Sequence, residues 1–106
     1  MPMIANEKGK ILRINTKYDL TGATAFQLDI EDPDGNASLI NAGFTVGAVD
    51  VTDNESNEVL TAYQYVEYTT DGTEFVQEGD HPSKLTGDFG PGKTLKSVYK
   101  NIYVHA

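Results

Sequence analysis

The sequence predicts an all-β domain, and three observations carry that prediction. Short apolar runs alternate with polar residues at a period of two, most clearly where Phe26, Leu28 and Ile30 interleave with Gln27, Asp29 and Glu31. Turn chemistry separates the runs: Pro33-Asp34-Gly35, Asp71-Gly72 and Gly90-Pro91-Gly92. No segment keeps a helical apolar period over about ten residues, and about seven or eight short strands at roughly 8–12-residue spacing suit a sandwich or small barrel.

The elements follow in order. Residues 1–8 carry no clear pattern and are expected as a flexible arm, free or laid on a neighbour, before one domain over 9–106. Lys10–Asn15 reads as the first strand, and Asp19-Leu20-Thr21-Gly22 joins it to the alternating strand that Pro33-Asp34-Gly35 stops. Ala37–Ile40 adds a short strand. Phe44–Val51 is a further strand whose apolar phase shifts at Gly47-Ala48, as a bulge would make it. Asp53–Asn57 is a polar turn. Val59–Thr69, dense in β-branched and aromatic residues, reads as one strand, with Asp71-Gly72 as a hairpin turn into Glu74–Gln77. Glu78–Pro82 reads as a loop, Ser83–Phe89 as a strand, and Thr94–Val104 as the last strand.

At 106 residues the chain has the size of one domain, with 39% hydrophobic residues to build a core. There is no cysteine, which removes disulfides and thiolate chemistry. No apolar run has the roughly 20 residues of a membrane span, so no membrane partner is expected. A net charge of −8 argues against nucleic acid, whose phosphates would be repelled.

The distribution of charge says more. All eight basic residues lie near the ends: Lys8, Lys10, Arg13 and Lys17, then Lys84, Lys93, Lys96 and Lys100. Between Tyr18 and Ser83 there are fourteen Asp or Glu and no Lys or Arg. If the first and last strands lie near each other, the bases gather on one side. Lys8, Lys10, Arg13, Lys17, Lys93, Lys96 and Lys100 then become candidate contacts for acidic neighbours in an ordered assembly. Tyr63 and Tyr65 would share one strand face, as core or half-buried rim or as candidate interface aromatics that join them.

Catalytic and ligand motifs are weak. Gly87-Asp-Phe-Gly-Pro-Gly-Lys93-Thr94 matches the phosphate-loop pattern, but that chemistry needs a strand before it and a helix after it. Here Pro91 removes a donor and the following segment reads as strand, so a hairpin turn is expected. The acidic groups Asp29/Glu31/Asp32/Asp34 and Asp50/Asp53/Asn54/Glu55 could offer oxygen ligands to calcium, yet neither has the twelve-residue loop spacing. His81 and His105 are the only histidines and are expected as exposed polar residues, with no nucleophile–base set around them. No cofactor, metal site or catalytic residue is implied.

The layout over Lys10–Gly35 is a strand, Tyr18-Asp-Leu-Thr-Gly-Ala-Thr24, an alternating strand and Pro-Asp-Gly. It resembles the small immunoglobulin-like domains of tailed-phage structural proteins, especially the N-terminal domains of baseplate and tail-fibre proteins. A second region, Tyr68-Thr-Thr-Asp-Gly72 through Gly79-Asp80 and Gly90–Lys96, looks similar to their later half. The resemblance implies a single immunoglobulin-like antiparallel β-sandwich of about seven or eight strands. It implies a non-enzymatic virion protein made in the host cytoplasm: a tail, baseplate or fibre adaptor, or a capsid decoration protein. Its partners would be other virion proteins, with copies forming a homo-oligomer or symmetric array. A receptor- or carbohydrate-binding module is the alternative, and a small hydrolase a more distant one.

Overall fold

A computed structural model describes residues 3–53, 57–90, 92 and 94–106. The described chain is all-β and holds ten strands: β1 Met3–Ile4, β2 Lys8–Asn15, β3 Thr24–Glu31, β4 Ala37–Ile40, β5 Thr45–Val46, β6 Val51–Thr52, β7 Val59–Leu60, β8 Tyr65–Asp71, β9 Gly79–Phe89 and β10 Thr94–His105. They form a five-stranded sheet in the order β1-β10-β9-β3-β4, a three-stranded sheet β2-β8-β5, and the pair β6-β7. Pairing is antiparallel except at β1, which runs parallel to β10 with Met3 opposite Val104 and Ile4 opposite His105.

Alternation decides which side chains go inward. Leu12 and Ile14 of β2 and Val66 of β8 share one buried cluster with Leu28 and Ile30 of β3, Leu85 and Phe89 of β9, and Ile102 and Val104 of β10. Strands of the five-stranded and the three-stranded sheet therefore contribute to one core. An aromatic chain closes it at the β3–β5 side: Phe26 lies 6.0 Å from Phe89 and 6.2 Å from Phe44, and Phe44 lies 5.6 Å from Tyr68.

The β3–β4 hairpin turns where Pro33-Asp34-Gly35 predicts. Asp32 Oδ1 accepts the Asp34 and Asn36 N–H groups at 2.9 and 2.8 Å, and Gly35 takes φ +86°. These amide contacts, that from Asn36 first, hold the Asp32 carboxyl below the ordinary aspartate range. The β9–β10 hairpin, with Phe89 opposite Thr94, occupies the place of the phosphate-loop pattern; Pro91 and Lys93 lie outside the described residues.

Several expectations give way to different local structure. Residues 3–8, expected within a flexible arm, lie against the fold: Met3 is buried and Ala5 N–H donates to the His105 carbonyl at 2.7 Å. Ten described strands replace seven or eight: β1 is added, the expected Glu74–Gln77 strand is absent, and two long runs break. Phe44–Val51 divides into β5 and β6 as Gly47 passes over the Tyr65 ring. Val59–Thr69 divides into β7 and β8 around a turn in which Gln64 N–H donates to the Thr61 carbonyl and Tyr63 takes φ +62°.

Glu74–Gln77 is not a strand. The Glu74 carboxylate folds back to accept the Asp71 and Gly72 N–H groups, and so uses its polar end inside the turn. Gly79–Pro82, expected as loop, instead extends β9. Among the described residues its pairing there is with β10 alone, since β3 reaches only to Ser83, and a proline is tolerated in such a one-sided stretch. His81 consequently points inward at 1% exposure, not outward as expected. It stacks edge-on against Phe75 and donates from Nδ1 to the Gly79 carbonyl at 3.0 Å.

Candidate functional site

The basic residues are spread along two strand edges and only partly gathered. Lys8, Lys10 and Arg13 lie on β2, and Lys96 and Lys100 on β10. Lys10, Arg13 and Lys100 line one depression of about 250 Å³ where the edges of β2 and β10 face each other, with Asp53 beside them. Arg13 is engaged there by the cross-strand Glu67, Nε to Oε2 at 2.7 Å. The others diverge: Lys8 stands opposite Asp71, Lys17 lies in the turn after β2 at φ +62°, and Lys96 holds its ammonium 5.3 Å from the centre of the Tyr18 ring. Lys93 lies outside the described residues.

The tyrosine pair proposed from sequence does not form. Tyr63 lies in the 61–64 turn, exposed, whereas Tyr65 is 1% exposed and donates from its hydroxyl to the Val49 carbonyl at 2.7 Å. The segment carrying Gly47 and Val49 crosses over Tyr65, so this ring is core and offers nothing to a partner. Burial raises its phenol above the ordinary range.

A different aromatic face stands out. In β10 the even-numbered Val98, Ile102 and Val104 point to the core, so Leu95, Tyr99, Asn101 and Tyr103 project from the outer face of the five-stranded sheet. Tyr99 is 78% and Leu95 72% exposed, which no core requirement explains. The register sets Leu39, Asp29, Lys84 and Tyr99 in one row across β4, β3, β9 and β10. A shallow depression of about 590 Å³ runs along this face, with Tyr99, Lys84, Asp29, Glu31 and Asp80 on its walls. Asn101 Nδ2 donates to Asp80 Oδ1 at 2.9 Å and fixes both side chains beside the rings. Sequence reasoning missed this face, although the odd–even pattern of Thr94–Val104 holds the signal: lysines and tyrosines there occupy opposite parities.

Of the acidic groups weighed for calcium, Asp32 is committed to backbone amides and Asp34 accepts from Gln77 Nε2 at 2.6 Å. Part of the second group, Asn54 and Glu55, lies outside the described residues. Among the described residues no three His, Cys, Asp or Glu side chains converge as metal ligands, and no helix is long and apolar enough to cross a membrane. No protein-family model, no curated protein and no solved structure matches the chain.

Proposed function

We propose that the protein is a non-enzymatic structural protein of a tailed-phage virion, a small adaptor of the tail, baseplate or fibre or a decoration protein on the capsid, acting through protein–protein contacts. The observation that carries the interaction reading is the outer face of the five-stranded sheet. It offers two exposed tyrosines and an exposed leucine beside polar groups, the mix that favours burial against another protein. The resemblance of Lys10–Gly35 to phage structural domains supplies the virion part.

The strand order supports the immunoglobulin-like reading. That arrangement has strands A, B, E and D in one sheet and G, F and C in the other, with C′ added in variable-type domains. Taking β2, β3, β4, β5, β8, β9 and β10 as B, C, C′, D, E, F and G yields B-E-D facing G-F-C-C′. The cysteines and tryptophan of antibody domains are absent from the sequence, and Ile14, Leu28 and Leu85 join the aliphatic cluster that fills the centre.

Mass spectrometry of purified particles tests the proposal. The protein is expected at a fixed, symmetric copy number, and its absence from particles overturns the virion reading. One observation favours a second reading: Tyr99 beside the fixed Asp80–Asn101 pair could stack a sugar ring and hydrogen-bond its hydroxyls. Glycan-array binding that is lost in Tyr99→Ala would favour a carbohydrate-binding module instead.

A further inference from the structure

We propose that copies of this chain associate head to tail, with edge strand β4 and its acidic turn laid into the basic seam between β2 and β10 of the next copy. This rests on the assembly reading above and names the partner: a second copy of the chain.

The receiving seam has an open strand position. β2 pairs with β8 on one side and with no strand on the other, and β10 carries β1 on its outer side only at Val104 and His105, among the described residues. In the immunoglobulin-like arrangement a strand A lies beside B, and here that place along β2 is unfilled by any described strand. Two adjoining depressions follow this edge, of about 250 and 500 Å³, and both are lined by Lys10, Ile11 and Arg13. Asp53 of the chain's own β6–β7 region lines both as well, so the seam already accommodates a carboxylate.

The inserting element lies at the opposite end of the five-stranded sheet. Among the described residues β4 pairs only with β3, and its outer edge is unguarded: Ala37, Ser38, Leu39 and Ile40 include no lysine, proline or charge of the kind that blunts sheet edges. Leu39 is 52% exposed. The turn that leads into β4 carries Glu31, Asp32 and Asp34, opposite in sign to Lys10 and Lys100 of the seam. Laying β4 along β2 would satisfy both free edges, set Leu39 on the same face as the exposed Ile11, and bring the acidic turn toward the lysines. Because the two surfaces differ and lie at opposite ends, the contact is heterologous and propagates into a ring or filament.

Sedimentation of the intact protein in about 0.1 M salt tests this, since a Debye length of about 10 Å screens the net charge of two copies more than contacts within the seam. The weight-average mass is expected to rise with concentration above the 11.6 kDa monomer and to fall back in about 1 M salt. Leu39→Lys places a guard on the donor edge, and Lys10→Glu with Lys100→Glu reverses the seam. Each variant alone is expected to stay monomeric with an unchanged far-UV spectrum. Mixed, they are expected to form a 1:1 dimer and nothing larger, since one keeps an intact seam and the other an intact edge. A wild type that is monomeric throughout, a single variant that assembles as the wild type does, or a mixture that stays monomeric overturns the proposal. A wild type that is monomeric alone yet present in particles would sink the self-contact and leave the virion reading standing.

Discussion

Gly47 lies flat against the phenol ring of Tyr65, with no room between them for even a methyl group. The contact lets residues 47–50 cross the outer face of the three-stranded sheet and carry the Val49 carbonyl to the Tyr65 hydroxyl. The two residues are 18 positions apart, yet each explains the other: only a glycine permits the crossing, and only the crossing buries the tyrosine.

Replacing Gly47 with alanine is therefore expected to destabilise the fold by about 1–3 kcal/mol, the range for forcing extra volume into a packed site. Its backbone is not in the left-handed region, so the cost is steric and not conformational. Tyr65→Phe keeps the ring and loses the bond to Val49, with an expected loss of about 1 kcal/mol. Urea denaturation of both variants checks this. Wild-type midpoints would mean that the crossing segment does not hold Tyr65.

Thr70 is expected to matter as much, for a different reason. At the irregularity in β2, its buried hydroxyl accepts the Lys10 N–H at 3.0 Å and donates to the Glu7 carbonyl at 2.8 Å. The β2–β8 ladder skips a step there, and this side chain replaces the missing backbone partner. Thr70→Val keeps the shape and strands both groups, so a loss of about 1–3 kcal/mol is expected. Amide exchange at Lys10 should accelerate with it, and an unchanged exchange rate would refute the role.

How much of this was legible in the sequence depends on what crosses over each strand. β3 and the last strand follow their alternation closely, because one face is core and the other is outer surface with nothing to disturb the period. His81 belongs to the same odd-numbered set as Ser83, Leu85 and Phe89, so its burial was written in the parity of β9. The turn residues around it, Gly79 and Pro82, masked that signal. Tyr65 and Tyr99 show what alternation leaves out. Both lie on the outer face of a sheet, but residues 47–50 cover Tyr65 while Tyr99 stays exposed. That difference arises from a loop path set by contacts distant in sequence, which periodicity does not encode.

Tyr99 and Tyr103 are expected to separate stability from assembly. Both project from the outer face of β10, and surface replacements of this kind usually change stability by no more than about 0.5 kcal/mol. Tyr99→Ala with Tyr103→Ala should therefore melt like the wild type and yet be lost from assembled particles in a complementation assay. Normal incorporation of the double variant would remove this face from the contact surface.

The alkaline limb of stability is expected to come from Tyr68. Its hydroxyl donates to Glu74 Oε2 at 2.5 Å, and burial, then the bond to Glu74 and the negative charge of that carboxylate, hold the phenol far above its ordinary range. In the unfolded chain Tyr68 ionises near pH 10, while in the fold it keeps its proton. Above that pH the unfolded state therefore binds fewer protons than the native state, so stability falls as pH rises. Below it both states are protonated and the contribution is fully present. Asp32 and Asp71 act at the other end. Both carboxyls are held below the ordinary aspartate range, Asp32 by backbone amides and Asp71 first by the Thr73 hydroxyl, so their contribution is present above about pH 4 and lost on further acidification. Thermal melts from pH 3 to 11 should show a plateau with a decline at each end. Tyr68→Phe should weaken the alkaline decline and leave the acid one in place. An alkaline decline that is unchanged in Tyr68→Phe would assign it to other groups, such as Tyr65, whose phenol burial also raises.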